Sequence, residues 1–465
     1  MFIKFNINKL PYFLIFDIIN LMIRLFIFLF LAVLFIIMMG IMIIFERNNA
    51  KNLIVWTVLF IFTQPIGYVI YLLCRIVINK KRNSLTTKEL EDEIYLNLSN
   101  KSLFNNEIDL KGELFEFNKL AFNASSTENN SYEMFNSYLD FKTDISKTIK
   151  KANKTILIQT TKLNPVDFEP LKELLKEKAN NNIVVKLVYT KNISRKLIKE
   201  LKASGVKCYR FSRYNMARNI YFNCKNIIVV DGVVAYLGSL NVSAKQLSGE
   251  CDVCDCLLKI KGDMVQAISL ELHNDIIYAS GKYLDFSITE NINIKNNNVM
   301  QYIVNKHEEN MELLIIKAIS SAKRSIQIQV DEFIPTSSLI SLLNFAINSG
   351  IEVKLMVPLM SNKKCKFYAT RAHAKELALL GAKVYLYDGF IRFNAINVDD
   401  EYIIYGGFTL DREYIGNSLQ NILIIKDENA VNHFNSLFSS CINNSYKINN
   451  ANFMLLREKF FKNFV

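Results

Sequence analysis

Cysteine and histidine are both scarce in this sequence, with 8 and 4 copies among 465 residues. Eight irregularly spaced cysteines are far too few for a small secreted scaffold held by disulfides, so a reducing compartment is favoured. Intrinsic disorder is excluded as well, because 51% of the residues are hydrophobic and 22% are charged. At about 150 residues per domain, the length suggests about three structural units.

Acidic residues are outnumbered by basic ones, 44 against 56, which gives a formal net charge of +12. A basic balance of this size favours partners that carry phosphate, either nucleic acid or anionic lipid. Charge alone does not distinguish these two classes.

Two long uncharged runs near the start predict a membrane hairpin. Leu25–Phe45 holds 21 residues and Leu53–Cys74 holds 22, each close to the roughly 20 residues that a helix needs to cross a bilayer. Pro65 predicts a kink in the second span. Lysine and arginine are more frequent in residues 1–24 and after the second span than in the loop between the spans, so both chain ends are expected in the cytoplasm. A cleaved secretory signal is not expected, because a second span follows the first and no small-residue cleavage site is present.

The rest of the chain contains an internal repeat. Residues 75–132 are basic and polar and predict a linker and lead-in, 133–289 form a first repeat, and the Asn-rich stretch 290–300 joins it to a second repeat over 301–447. The segment 448–465 is left as a C-terminal tail.

Three pairs of segments carry the repeat, each combining a helical pattern with a β-rich run. They are Ile145–Gln159 with Ile315–Gln329, Ile183–Val188 with Ile351–Met356, and Gly205–Tyr209 with Gly381–Tyr385. Strands that alternate with helices predict an α/β fold of two half-domains, each a mainly parallel sheet flanked by helices.

A further matching pair lies where chemistry is expected. The first half reads Asn223–Gly232 followed by Gly238–Asn241, and the second reads Arg392–Asp400 followed by Gly406–Thr409. With these segments the region resembles the phospholipase D superfamily, and with the membrane hairpin it resembles bacterial cardiolipin synthases.

This resemblance implies one active site between two pseudo-twofold half-domains, each giving a His-x-Lys-x4-Asp motif. One histidine would attack phosphorus and the other would protonate the leaving alkoxide, which is covalent catalysis with acid–base assistance. The lysines and a downstream asparagine of each half would hold the phosphate oxygens.

The chain departs from this pattern at the positions that matter most. By the resemblance, the motif positions for His, Lys and Asp are Cys224, Asn226 and Asp231 in the first half and Arg392, Asn394 and Asp399 in the second. Both aspartates are present, but both histidines and both lysines are replaced. Taking Lys225 as the motif lysine would put Asp231 out of step, and Lys225 is expected to point to the opposite face of the strand.

Downstream phosphate-binding positions are partly kept. The first half has Ser239 and Asn241, whereas the second has Thr409 in place of the asparagine, and the acidic residue expected after it is replaced by Gln420. Together with Arg392 and the two motif asparagines, these side chains predict a polar cleft for a phosphodiester head group.

None of the four histidines, His273, His307, His373 and His433, completes a motif. His373 has Lys375 two residues on, but its surroundings predict a helix, and it is expected on that helix's surface.

The replacing residues are poor catalysts. Arginine stays protonated, so Arg392 can bind phosphate in a bidentate fashion but cannot act as a general acid, a loss that typically costs about 10² to 10⁴ in rate. Cys224 is expected to be a buried apolar residue rather than a nucleophile, because a thiol with a pKa near 8.5 is mostly protonated at pH 7.

Cys251, Cys254 and Cys256 contain one Cys-x-x-Cys pair, but no second pair completes a zinc site. The alternation that follows them predicts a strand. We expect no metal and no cofactor.

The sequence therefore predicts a membrane-anchored, cardiolipin synthase-like pseudoenzyme. It would bind anionic phospholipid (phosphatidylglycerol or cardiolipin) or pair with an active phospholipase D-family relative. One alternative is an active synthase that condenses two phosphatidylglycerols. A membrane-tethered nucleic-acid binder is the least favoured alternative.

Overall fold

The computed structural model describes most of the chain and divides it into two compact units, one within Met1–Leu90 and one over Glu91–Tyr214 and Asn219–Val465. The described residues are 12–46, 50–63, 66–74, 112–122, 124–161, 163, 165–190, 193–211, 222–223, 225–238, 252–280, 298–304, 311–361, 363–412, 415, 418–448 and 455–464.

Three helices make up the described part of the N-terminal unit. They are α1 (Tyr12–Glu46), α2 (Ala50–Thr63) and α3 (residues 66–74). Within these residues one helical stretch, Phe16–Ile44, is long and apolar enough to cross a membrane. The helix begins well before the predicted start of the first span at Leu25, because the lone charges of Asp17 and Arg24 do not interrupt an otherwise apolar helix.

The predicted two-span hairpin is found only in part. Helix α2 has 14 residues, fewer than the roughly 20 that a span requires, and Pro65, where the kink was predicted, lies outside the described residues. The three helices do pack on one another, since Met42 of α1, Phe60 of α2 and Tyr71 of α3 form a small buried cluster.

The first half-domain of the globular unit is built on a seven-stranded sheet with the order β2-β10-β8-β7-β3-β4-β5. Its strands are β2 (Asn130–Phe135), β3 (Thr155–Thr160), β4 (Val184–Tyr189), β5 (Lys207–Arg210), β7 (Ile227–Val230), β8 (Val234–Leu237) and β10 (Leu257–Gly262). Two short strands, β6 (Phe222–Asn223) and β9 (Val253–Cys254), lie outside this sheet. The helices before and within this half are α4 (Glu113–Phe122), α5 (Tyr138–Lys151), α6 (Pro165–Asn180), α7 (Arg195–Ala203) and α8 (Met264–Ser280).

The second half-domain repeats this order in a nine-stranded sheet, β1-β11-β21-β18-β17-β12-β14-β15-β22. Its strands are β1 (Ser125–Thr127), β11 (Val299–Val304), β12 (Ser325–Gln329), β14 (Glu352–Pro358), β15 (Lys383–Tyr387), β17 (Asn394–Val398), β18 (Tyr402–Gly406), β21 (Asn421–Lys426) and β22 (Ser445–Lys447). The short strands are β13 (Phe333–Ile334), β16 (Phe390–Ile391), β19 (Leu410–Asp411) and β20 (Ser418–Leu419). The helices are α9 (Met311–Ser320), α10 (Ser337–Asn348), α11 (Lys364–Leu379), α12 (Glu428–Asn443) and α13 (Leu456–Phe464).

The prediction of mainly parallel sheets is wrong, because both sheets are mixed. Within these two sheets, the strands that run parallel are the ones joined by helices, namely β3–β4–β5 and β12–β14–β15. The pairs β7–β8 and β17–β18 are antiparallel, since each is joined by three residues, and a connection this short can only reverse the chain. The predicted helix–strand alternation therefore holds for one side of each sheet.

Buried apolar side chains form three layers of core. One cluster lies between the first sheet and α5, α6 and α7, and another lies between the second sheet and α9, α10 and α11. The third contains residues from the opposite faces of both sheets together with α8 and α12. The two half-domains therefore share a central core, which fixes their relative position.

Two segments predicted to lie outside the repeats are folded against them. The predicted lead-in over 75–132 contains α4, β1 and the start of β2, and β1 pairs with β11 in the second sheet. The predicted tail over 448–465 contains α13. Each of these elements is short and gains its stability from the surface on which it packs.

Tyr405 connects the halves through the central core, and its loss should destabilise the protein. The buried Tyr405 hydroxyl donates to the Cys256 carbonyl at 2.5 Å, so Tyr405→Phe leaves a buried acceptor unsatisfied and is expected to cost about 1–3 kcal/mol. Thermal unfolding in detergent measures this. Tyr402→Phe, which loses a partly buried contact to Ser321 within one half, is the matched control. An equal or larger effect in the control would contradict the assignment.

Candidate functional site

Two short pairings carry the motif segments to the boundary between the half-domains. Strand β6 pairs with β20 in parallel, and β16 pairs with β9 in parallel. In each case a strand that leads into one half's motif pairs with a strand of the other half. Arg392 follows β16 directly, and its backbone N–H donates to the Cys254 carbonyl of the first half at 3.1 Å.

Arg392 lies beside a buried carboxylate. The register that pairs Ile391 with Cys254 places Arg392 next to Asp255, which is 5% exposed. Burial raises the pKa of Asp255 to about 6, although the Arg392 guanidinium acts to lower it. The Oδ2 atom of Asp255 makes no hydrogen bond to any residue that the structure describes. Half-buried Arg392 is therefore accompanied by an opposite charge from the other half-domain.

Asp255 was not among the predicted site residues, although the repeat contained a signal for it. Asp255 stands just before Cys256 and β10, and Gln420 stands just before β21, so the two residues hold matching places in the two halves. Buried Gln420 donates from Nε2 to Ser418 Oγ at 2.7 Å. The boundary thus carries an acid beside Arg392 and an amide in the corresponding place directly after β20.

Asn394, at the second motif-lysine position, is bound to the protein itself. Its Oδ1 accepts from the Asp331 backbone N–H at 2.8 Å, and its Nδ2 donates to the Phe408 carbonyl at 2.6 Å and to Asp331 Oδ1 at 3.1 Å. Burial, followed by the charge of Glu332, raises the pKa of Asp331 to about 6. Asn394 therefore links the segment after β12 to the segment after β18.

Asn226 occupies the equivalent place in the first half. Its Oδ1 accepts from Thr160 Oγ1 at 3.2 Å and from the Thr161 N–H at 3.1 Å. Asn226 therefore binds the end of β3 and the residue after it, and Asn394 binds the segment after β12. The amide oxygens of both residues accept hydrogen bonds from these segments.

The two motif aspartates have a folding role. Asp231 accepts from the backbone N–H groups of three consecutive residues, Asn153, Lys154 and Thr155, at 2.8–2.9 Å. Asp399 does the same with Lys323, Arg324 and Ser325 at 2.7–2.8 Å. Asp231 thus fixes the start of β3, and Asp399 fixes the start of β12. Each aspartate also has a positive φ, 53° and 54°, which aspartate adopts more readily than most residues.

Lys225, which was not assigned to the first motif, is a core residue. It is fully buried, and its Nζ bonds to Glu271 and, at 2.9 Å, to Asp275, both on α8. Gln159 donates to the same Asp275 oxygen at 2.7 Å. Lys225 therefore belongs to the central core, where two carboxylates of α8 neutralise it.

Of the downstream positions, those of the second half, Thr409 and Gln420, lie within the described residues. Cys224, Ser239 and Asn241 lie outside the described residues. Thr409 is half-buried between Phe408 and β19. Gly406 before it has φ 149°, and a Cβ there would collide with the Asn421 carbonyl oxygen. Glycine is needed because β18 and β21 approach so closely at that point.

None of the histidines that the structure describes stands in for the missing motif histidines. His373 is 5% exposed rather than on the helix surface as predicted, because α11 is covered by α13. Burial lowers the pKa of His373 to about 4, although Glu376, 3.3 Å away, acts to raise it. His373 is therefore neutral at pH 7. His273 lies on α8 and His433 on α12, and His307 lies outside the described residues.

Two of the three clustered cysteines are core residues. Cys254 and Cys256 are buried, and Gln329 Nε2 lies 3.3 Å from Cys254 Sγ. Burial raises the pKa of the Cys256 thiol well above its usual range. Cys251 lies outside the described residues. Across the described ranges, no group of three or more His, Cys, Asp or Glu side chains is placed to hold a metal ion. The strand predicted after the cysteines is β10.

The fold and the boundary site define a protein with two phospholipase D-like half-domains. A family model described as "Cardiolipin synthase, PLD-like domain" matches residues 145–275 and 315–442. These residues are more than half of the chain, so the chain belongs to this family, as the sequence predicted.

Individual relatives agree with this assignment. The chain is 28% identical over 416 residues to the major cardiolipin synthase ClsA of Bacillus subtilis (strain 168), covering 81% of this chain and 84% of that protein. It is 27% identical over 410 residues to a cardiolipin synthase of Clostridium perfringens (strain SM101 / Type A), covering 82% and 86%. The fold is similar to that of phosphatidylserine synthase from Haemophilus influenzae Rd KW20, with a TM-score of 0.58, 14% identity and coverage of 76% and 97%.

The folding role of Asp399 predicts a large loss of stability in Asp399→Ala. Three backbone N–H groups lose their acceptor, and we expect a cost of about 3–5 kcal/mol, since each buried unsatisfied donor costs about 1–3 kcal/mol. Asp400→Ala is the matched control, because exposed Asp400 has nearly the same φ, 55°. Thermal unfolding of both variants in detergent is the measurement. Similar unfolding temperatures for the two would show that the carboxylate has no special role.

Proposed function

We propose that this protein acts at a membrane on anionic phospholipid, and that it receives the phosphate of a lipid head group at the boundary between its half-domains. The observation that carries the proposal is the position of Arg392, a half-buried guanidinium at the boundary, in a chain of the cardiolipin synthase, PLD-like domain family. The candidate span supports the membrane location. Guanidinium is well suited to bidentate contact with phosphate.

The comparisons favour an active cardiolipin synthase over the non-catalytic protein preferred from the sequence. Relatives that cover about four-fifths of the chain are cardiolipin synthases by name. The reaction would transfer a phosphatidyl group from one phosphatidylglycerol to the terminal hydroxyl of another, releasing glycerol. Groups other than the two motif histidines would then have to supply the nucleophile and the acid.

The chemistry of the described site favours the second candidate, head-group binding without turnover. Arg392 stays protonated, Asn394 is used in loop contacts, and His373 is buried on α11. These residues offer a cation for phosphate, but they supply neither a nucleophile nor a proton donor at the boundary. As a head-group binder, this protein could also pair with an active relative that uses the bound lipid.

For the membrane part, we propose that residues 53–74 form a second span, with both chain ends and the globular unit in the cytoplasm. The packing of α2 and α3 on α1 supports this arrangement, as does the excess of lysine and arginine outside the loop. A bilayer partner also accounts for the net charge of +12, so nucleic-acid binding is not needed to explain it.

A reconstitution assay separates the two candidates. The purified chain in vesicles of phosphatidylglycerol is incubated, and cardiolipin and glycerol are quantified. An active synthase produces both in equal amounts, whereas a head-group binder produces neither but still binds anionic vesicles more tightly than zwitterionic ones. If the protein neither produces cardiolipin nor prefers anionic vesicles, the proposed function is wrong.

A restored variant supplies the positive control for this assay. It carries Cys224→His, Asn226→Lys, Arg392→His and Asn394→Lys, together with Gln420→Glu, since Asp255 already provides the acid on the other side of the boundary. Cardiolipin formation by the restored variant alone would identify a scaffold whose catalytic groups are replaced. Formation by both proteins would support the synthase.

The pairing of Asp255 with Arg392 predicts pH-dependent head-group binding. Protonation of Asp255 below its pKa of about 6 removes the charge that offsets Arg392, so affinity for anionic vesicles should rise as the pH falls from 7.5 to 5. Asp255→Asn should bind several-fold more tightly at pH 7.5 and lose most of this pH dependence. Because Asp331 titrates in the same range, Asp331→Asn is the control and should keep it. Weaker binding by Asp255→Asn would show that the carboxylate orients Arg392 rather than neutralising it.

A further inference from the structure

The C-terminal helix α13 is held on α11 by a buried carboxylate. Glu458 is 0% exposed, and it lies 2.7 Å from Lys375 Nζ and 3.3 Å from Arg371 Nε. The Leu455 backbone N–H donates to the same carboxylate at 2.9 Å. Glu458 is the one acidic residue of α13, and its charge is directed inward, where two cations of α11 neutralise it.

Further contacts fix the rotation of α13 about its own axis. The Phe461 ring stacks on Tyr368 of α11, with centroids 5.8 Å apart and planes 13° apart. Lys462 Nζ lies 2.9 Å from Glu376 Oε1, also on α11. A helix of nine residues is too short to be stable alone, so these contacts determine which side of α13 faces outward.

The outward side of α13 is apolar and basic. Leu455, Leu456 and Phe460 are 57%, 86% and 59% exposed, and Arg457 and Lys459 between them are exposed as well. We call these five residues the outer face of α13. One exposed apolar residue is ordinary on a protein surface. Here three large ones lie within six positions together with two exposed cations, and the one acid among these positions, Glu458, is buried, so the exposed residues form a distinct surface.

We propose that the outer face of α13 lies on an anionic phospholipid surface. Leucine and phenylalanine at helical spacing, next to lysine and arginine, are typical of helices that rest in the head-group region of a bilayer. The cations complement the negative charge of anionic lipid, and the inward position of Glu458 leaves the outer face without an opposing charge. The chain's own candidate span supplies the bilayer.

This contact would bring lipid to the helix that borders the candidate site. On α11, Lys366 bonds to Asp411 and, at 3.2 Å, to Glu332. Glu332 adjoins Asp331, which binds Asn394. Helix α11 therefore packs against α13 on one side, and on another side it contacts residues near the second motif. The contact does not depend on whether the site turns lipid over.

Tryptophan quenching by brominated lipid tests the proposal on the full chain. Phe460→Trp is reconstituted in bilayers of brominated phosphatidylglycerol or brominated phosphatidylcholine, and the signal of the parent protein, which contains Trp56, is subtracted. We expect at least twofold quenching of the introduced tryptophan in the anionic bilayer and less in the zwitterionic one. Phe345→Trp on α10, where Phe345 is 69% exposed, is the matched control and should show little quenching.

Removal of the outer-face cations tests the charge argument. In the Phe460→Trp background, Arg457→Gln with Lys459→Gln should abolish the difference between the two lipids. Equal quenching at positions 345 and 460, or none at 460, would overturn the proposal. Either result would leave the head-group proposal standing, because anionic-vesicle preference and its dependence on Asp255 are measured separately.

Discussion

Each half-domain depends on one carboxylate that binds three consecutive backbone amides. Asp231 and Asp399 perform this role in the first and second halves, and each ties the turn after one strand to the start of its neighbour. The two aspartates therefore stabilise the fold of their half-domains by fixing how neighbouring strands begin and end.

The site also depends on the core that the two sheets share. Helices α8 and α12 lie between the two sheets, and the buried Lys225 joins the first motif strand to α8 through Glu271 and Asp275. Short parallel pairings then place each motif segment against the other half. As a result, both halves contribute to the region around Arg392. Arg392 itself belongs to the second half, and the neighbouring Asp255 belongs to the first.

Much of this could be predicted from the sequence, because a repeated pattern reports local structure. The helices and strands of the paired segments, the two half-domains and the registers of both motifs follow from periodicity and matching. The antiparallel strands of each sheet could not be predicted in the same way. They are joined by three-residue turns, and the pattern of alternating helices and strands gives no sign of these turns. The repeat marks the place of Asp255, but its nearness to Arg392 could not be predicted, because Arg392 is 137 positions away and becomes adjacent only through the pairing of β9 with β16. The burial of His373 depends on α13, an element too short to predict from its own sequence.

The hydrogen bonds of Asn394 bear on how this protein can change over evolutionary time. Its amide satisfies the Asp331 N–H and the Phe408 carbonyl together, and a lysine side chain has no acceptor with which to replace the first of these bonds. A lysine introduced at this position alone would therefore leave the Asp331 N–H without its acceptor. Replacing Asn394 by lysine without a cost in stability requires a second substitution that supplies an acceptor nearby.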